Sequence, residues 1–295
     1  MKFAFHLHAM RQHWRQAAPT LEEQRSTFAL ARDAGFDGLD ISDSWPLASL
    51  GDAAARQTRA LAEDMGLCIP VISCMGKTLC HPELGAANEQ AIARALPLAQ
   101  ALGAATVNLA LSIPRSPGVV PTMGAAHSPG GSLGAPEADY DLTRERLRRL
   151  ARQAADLGLS LSLELHDRSL ADTSASLLRL LDDANEANLG ANPDLCNGYR
   201  AYATPPESWE AALDALAPRM NLWHVNNVQR VHFPEIERAA FIERPLQDGD
   251  VDYRLAHRKV RAAGFDGWVV IEYKGRGDAL ATTGAGRAYL ASLGA

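Results

Sequence analysis

The chain has 295 residues, 47% of them apolar and 22% charged, with a formal net charge of −6. That length suits one large domain with an ample core, and the acidic balance weighs against a nucleic-acid surface, which is normally basic. The N-terminus is too short and polar for a signal peptide, no long apolar span follows, and the four cysteines (Cys68, Cys74, Cys80, Cys196) lack paired spacing, so a cytoplasmic protein with free thiols and no membrane contact is expected.

In chain order, Phe3, Phe5 and Leu7 share one face of an alternating strand, and Ala4, His6 and His8 share the other. Thr20-Leu21-Glu22-Glu23 is a capping box that opens a helix running to Ala34 and stopping at Gly35. A strand over 39–42, a helix over 53–65 and a strand over 67–74 follow. Next come a helix over 83–102 with a strand over 105–111, and a helix over 140–157 with a strand over 159–165. A helix over 173–187 leads to a strand over 189–194, and a helix over 206–216 to a strand over 220–226. The last predicted helix, 252–263, precedes the strand Trp268-Val269-Val270-Ile271-Glu272-Tyr273, which is β-branched and aromatic and ends on a carboxylate.

Ala34-Gly35-Phe36-Asp37-Gly38 recurs letter for letter as Ala263-Gly264-Phe265-Asp266-Gly267, each time at a helix stop before a strand. About eight strands alternating with helices predict an α/β fold, a single-domain (β/α)₈ TIM barrel over 1–295. A doubly wound open sheet is the alternative, but no GxGxxG turn follows the first strand. Two segments break the rhythm, 112–139 and 228–250. Both follow strands, so both are expected as long loops over the C-terminal mouth, as lids or a subunit contact in a homo-oligomer.

Strand five places Leu159, Leu161, Leu163 and Leu165 outward, leaving Ser160, Ser162 and Glu164 inside the barrel. Strand six ends Asn192-Pro193-Asp194, strand seven carries His224 and Asn226 on one face, and strand eight ends on Glu272. Glu164, Asp194, His224 and Glu272 thus finish four consecutive strands at one level. Three carboxylates crowded in one mouth repel unless a cation neutralises them. One imidazole with oxygen ligands suits Mn²⁺ first, or Mg²⁺, Co²⁺ or Zn²⁺. His8, Lys77, Asn108, His166 and Asn197 are candidate substrate contacts, with His6 and Lys274 behind them. Trp14 and Trp45 are candidates to line the pocket, whereas Trp223 alternates outward into core.

Pro245-Leu246-Gln247-Asp248-Gly249-Asp250-Val251-Asp252-Tyr253, then Ala263–Trp268 and Ile271-Glu272, resemble the ending of the xylose isomerase-like barrel superfamily. That superfamily includes sugar epimerases, hydroxypyruvate isomerases, inosose dehydratases and endonuclease IV. The resemblance implies a divalent-metal enzyme with ligands at Glu164, Asp194, His224 and Glu272, and a substrate-holding Arg230 six residues beyond the metal histidine. Four positions depart from the pattern. Asn197 stands where an imidazole is common, Asn226-Asn227 replace a Lys-Asp pair, and Leu170 replaces the second substrate Glu of ketose epimerases.

Such a metal polarises a carbonyl and neighbouring hydroxyl, and a carboxylate, Glu164 or Glu272, removes the proton between them. Reprotonation makes the enzyme a sugar isomerase or epimerase on a keto-sugar or polyol. Loss of a β leaving group instead makes it a lyase, such as a 3-keto-glycoside eliminase, a C-glycoside-deglycosidase-like enzyme or an inosose dehydratase-like enzyme. A non-catalytic ligand-binding barrel is a third reading. A trinuclear-zinc nuclease is disfavoured by the few imidazoles at strand ends.

Overall fold

The computed structural model describes residues 1–10, 19–42, 50–112, 131–200, 205–236 and 238–294. The strands are β1 (Lys2–His6), β2 (Gly38–Ser42), β3 (Cys68–Cys74), β4 (Thr106–Leu109), β5 (Ser160–Glu164), β6 (Leu189–Asn192), β7 (Trp223–Val225), β8 (Asn227–Phe233), β9 (Arg238–Arg244) and β10 (Trp268–Ile271). The helices are α1 (Leu21–Asp33), α2 (Asp52–Asp64), α3 (Gly85–Leu102), α4 (Glu137–Asp156), α5 (Ser174–Ala184), α6 (Trp209–Leu216), α7 (Tyr253–Ala262) and α8 (Ala279–Leu293).

Eight strands pair in parallel in the order β6-β5-β4-β3-β2-β1-β10-β7. The gap between β6 and β7 is bridged by a parallel contact of Ala191 with Met220 and by the Asn221 N–H donating to the Ala191 carbonyl at 3.1 Å. The result is the predicted single-domain (β/α)₈ barrel. Among the described residues, no helix is long and apolar enough to cross a membrane.

One helix-ending device explains the repeated pentapeptide. After α1, the Gly35 N–H donates to Arg32 and the Phe36 N–H to Ala31; after α7, Gly264 donates to Arg261 and Phe265 to Val260. Each is a Schellman cap whose glycine sits at a φ of about +85°, where a Cβ would meet its own backbone. The following aspartates also do parallel work. Asp37 accepts from the Phe3 N–H at 2.8 Å, and Asp266 pairs with the N-terminal ammonium and Arg261, both at 2.6 Å.

Alternation along the strands sorts the core into two parts. Leu161, Leu163 and Leu165 face outward, as expected, into the large cluster between barrel and helices. Inside the barrel, Ala4, Val71, Leu222 and Val270 form a small apolar plug. Two residues further along each of those strands stand His6, Ser73, His224 and Glu272, so the plug floors a polar layer.

Two features depart from expectation. The 228–250 segment is largely a ladder rather than a loop: β8 and β9 pair antiparallel, because period-two runs on both sides of the turn make a hairpin. Asn227 ties its base, accepting from the Val228 and Val251 N–H groups and donating to the Leu246 and Val251 carbonyls. Gly249 is required there, since a Cβ would lie 2.4 Å from the Asn227 amide. Helix α8, rich in Ala, Thr and Gly, has too little amphipathic signal to be predicted and packs on α1, α7 and β10. Of the 112–139 segment, residues 113–130 lie outside the described residues and α4 begins at Glu137.

Gly264→Ala places a side chain in open space, so only backbone strain is added. Urea denaturation is expected to show a loss of about 1–2 kcal/mol with unchanged circular dichroism. An unchanged midpoint would contradict the capping account.

Candidate metal centre

His224, at the middle of β7, is fully buried and carries a carboxylate on each side of its ring. Nδ1 faces Glu272 Oε1 at 3.0 Å and Glu164 Oε2 at 3.6 Å; Nε2 faces Asp40 Oδ2 at 3.3 Å. Burial works against a charged imidazole, but Asp40 and then Glu272 outweigh it and hold the His224 pKa well above its ordinary value. Opposite, burial favours a neutral Glu272, yet Lys274, His6 and His224 together hold it well below the usual carboxylate range. The Lys274 ammonium lies 2.8 Å from Glu272 Oε2.

Amides hold the other two carboxylates. Glu164 accepts from Asn108 at 2.6 Å through Oε2 and from Asn197 at 3.0 Å through Oε1. Asp194 accepts from Asn197 at 2.9 Å and from Asn226 on both oxygens at 2.9 Å. Burial first, then the charge of Glu272, pushes the Asp194 carboxyl up to about 7. Asn226 is in turn fixed by Tyr253, whose hydroxyl donates to the Asn226 carbonyl at 2.7 Å. The Gly-x-x-Asp-Tyr ending therefore has a structural meaning: Gly249 lets Asn227 close the hairpin, Asp252 caps α7, and Tyr253 anchors an Asp194 neighbour.

All four expected ligands are buried, but only His224 faces Glu164 and Glu272 directly; Asp194 is joined to Glu164 through the Asn197 amide, and the group within ligand distance is instead His6, His224 and Glu272. The structure adds three residues that sequence reasoning missed or underweighted. Asp40 accepts from Ser73 at 2.7 Å and lies between His6 and His224; its signal was a charged residue between Leu39 and Ile41 in mid-strand. Asn192 bridges, donating to Asn108 at 3.0 Å and accepting from the His224 N–H at 2.7 Å. His6, ranked below His8, is the deeper of the two. The His8 N–H donates to His6 Nδ1 at 3.2 Å, leaving Nε2 to face Glu272 Oε1 at 3.3 Å and Asp40 at 3.5 Å.

The predicted substrate contacts distribute unevenly. Asn108 and Asn197 are committed to holding Glu164. His8 lies in the turn after β1, its ring 5.9 Å from that of His6. His166 is buried, its Nδ1 3.1 Å from Asp167, and Asp167 outweighs burial to raise its pKa. Lys77 donates to the Met75 carbonyl, and Arg230 lies on β8 with its N–H on Asp250. Trp223 is core, against Tyr253, as expected. Trp14 and Trp45 lie outside the described residues.

The donor set fits a divalent cation. His6 Nε2, both ring nitrogens of His224 and Glu272 Oε1 face one another out of water without a hydrogen bond of good geometry, while Glu272 Oε2 is paired with Lys274. Ligand atoms of His6, His224 and Glu272 lie within 4.8 Å of one another. Unsatisfied buried polar atoms are costly, and convergent ones of mixed N and O type suit a divalent metal.

Known proteins were compared with the chain. A search of curated proteins found no match. Among solved structures, a xylose isomerase-like TIM barrel protein from Mycobacterium smegmatis, in complex with magnesium, is 26% identical, with a TM-score of 0.82 over 99% of this chain and 96% of that one. The probable 3-DHS dehydratase AsbF of Bacillus anthracis is 19% identical, with a TM-score of 0.70 over 99% of both chains. The 3-keto-D-glucoside 4-epimerase of E. coli is 16% identical, with a TM-score of 0.69 over 99% of both chains. These last two likenesses show the shared fold. The family model for the xylose isomerase-like TIM barrel matches residues 28–293, and the chain belongs to that family.

Proposed function

We propose that the protein is a divalent-metal-dependent isomerase or epimerase that removes a proton beside the carbonyl of a keto-sugar or polyol. The observation that carries this reading is the convergence of His224 Nδ1 with Glu164 and Glu272, out of water at the C-terminal end of the barrel. A cation held by Glu164, Asp194, His224 and Glu272 would supply electrophilic polarisation of the carbonyl and its neighbouring hydroxyl. Mn²⁺ and Mg²⁺ are the first choices, the latter supported by the magnesium complex of the mycobacterial relative.

The chain's own residues supply orientation and proton transfer. Asn108 and Asn197 fix both oxygens of Glu164, so its carboxylate plane is set before substrate arrives. Asp40 on Nε2 turns the Nδ1 edge of His224 toward Glu164 and Glu272. Glu164 and Glu272, on either side of that edge, are the candidate base and acid. Lys274, beside Glu272, favours the ionised carboxylate needed to take a proton.

Elimination is the second reading, and one observation favours it. Leu170, where ketose epimerases carry their second substrate Glu, is 1% exposed and packed in the core.

Turnover of keto-sugars and 3-keto-glycosides in deuterated water separates the two. Deuterium at a retained sugar carbon is expected for isomerisation, and an enone or released aglycone marks elimination. Glu164→Gln or Glu272→Gln is expected to cut kcat by about 10²- to 10⁴-fold with the fold preserved by circular dichroism. Full activity after exhaustive chelation would overturn the metal reading.

Metal binding should also depend on pH. Asp194, up to about 7, and His224, held above its usual value, carry protons that a ligating cation must displace. Mn²⁺ affinity is therefore expected to rise from about pH 6 to about pH 8 with proton release, measured by calorimetry in buffers of different ionisation enthalpy. PH-independent binding without proton release would contradict the ligand assignment.

A further inference from the structure

The C-terminal mouth carries cationic groups that the reaction above leaves unused. Arg200 follows the turn Leu195–Tyr199 after β6, and its N–H donates to the Asn197 carbonyl at 3.3 Å. Its side chain is 5% exposed and makes one loose ion pair, Nη2 to Glu243 Oε1 of β9 at 3.5 Å. Nε and Nη2 are both out of water without a hydrogen-bond acceptor. These two nitrogens form the side edge of the guanidinium, whose parallel donors match the two oxygens of a carboxylate. A buried guanidinium whose side edge has only this loose contact with Glu243 is incompletely satisfied, and a ligand carboxylate that completes it recovers part of the cost.

Arg200 belongs to the same mouth as the cage. Its charge acts on Lys274, and Asp194 and Glu272 act on Arg200 in return. The carboxylates nearest it are already engaged: Asp194 by Asn197 and Asn226, and Glu272 by Lys274. In the turn after β5, Arg168 repeats the pattern. It is buried, its Nε lies 2.9 Å from Asp167 Oδ2, and its Nη1 has no acceptor. Arg168 also holds a φ of 60°, strain that a non-glycine residue sustains only when the surroundings impose it.

We propose that the side edge of Arg200 binds a carboxylate carried by the substrate, so that the reaction at the metal centre acts on a keto-sugar acid rather than a neutral ketose. This rests on the proposed function, because it places the carboxylate relative to the cage where the proton is taken.

The test measures binding to Mn²⁺-loaded protein by calorimetry, with D-fructuronate, D-fructose and D-fructose 6-phosphate as probes. Wild type is expected to bind fructuronate at least about tenfold tighter than fructose. Arg200→Gln should erase that difference while Mn²⁺ still binds, and Arg200→Lys should restore only part of it. If Arg200→Gln is misfolded by circular dichroism, Arg200→Lys, which keeps the charge but loses the planar fork, carries the test, and a reduced acid preference is expected there. No difference between fructuronate and fructose in wild type, whether both bind or neither does, overturns the proposal. So does tighter binding of the phosphate, or an Arg200→Gln loss equal for acid and neutral sugar. Loss of Mn²⁺ binding sites in wild type would instead fell the proposed function, so the two failures read differently.

Discussion

The clamp on His224 is the constraint around which the mouth is built. With Asp40 on one nitrogen and Glu272 and Glu164 on the other, the ring can neither rotate nor exchange its edges without leaving a carboxylate uncompensated in a dry layer. Each clamp member is itself fixed: Asp40 by Ser73, Glu164 by Asn108 and Asn197, Glu272 by Lys274. The backbone of His224 is held too, its N–H donating to Asn192. Strands from all around the barrel are thereby tied through one imidazole.

The barrel makes this concentration of charge affordable by geometry. Side chains alternate, so a strand that contributes Ala4, Val71, Leu222 or Val270 to the apolar plug contributes a polar residue two positions later. The plug seals the layer from the N-terminal face, and the helices seal the flanks. Low dielectric then strengthens each attraction within the layer and makes each missing partner costly. The second ring of charge, Arg168, Arg200, Asp167 and Glu243, lies nearer the mouth, and part of it is anchored on the β8–β9 hairpin. The hairpin is therefore connected to the site through an ion pair and through the Asn227 and Tyr253 bonds at its base.

Much of this was legible in the sequence, and the failures have identifiable causes. The barrel followed from period and from glycine stops, because the Schellman cap needs a left-handed residue and the chain repeats it letter for letter. Glu164, His224 and Glu272 stood out because charged residues ended apolar strands. Asp40 did not, because it lies in mid-strand in the first half of the barrel, and Asn192 did not, because spacing cannot reveal its bonds to Asn108 and to the His224 backbone. Asn108 and Asn197 were read as facing a ligand, whereas spacing cannot reveal that a neighbouring carboxylate takes their donors first. The 228–250 hairpin is hard to see in the sequence because Val228, Val231, Phe233, Phe241 and Ile242 are spread over both faces among polar residues, and Arg200 carries no periodic signal at all. Its importance lies in burial with only a loose ion pair to Glu243, a property only three-dimensional structure exposes.

Anomalous diffraction from crystals grown with Mn²⁺ addresses the central claim most directly. The account predicts one strong peak bounded by the carboxylates of Glu164, Asp194 and Glu272 and by Nδ1 of His224, with Nε2 still on Asp40. A peak elsewhere, no peak at saturating Mn²⁺, or a His224 ring turned to offer Nε2 would contradict it.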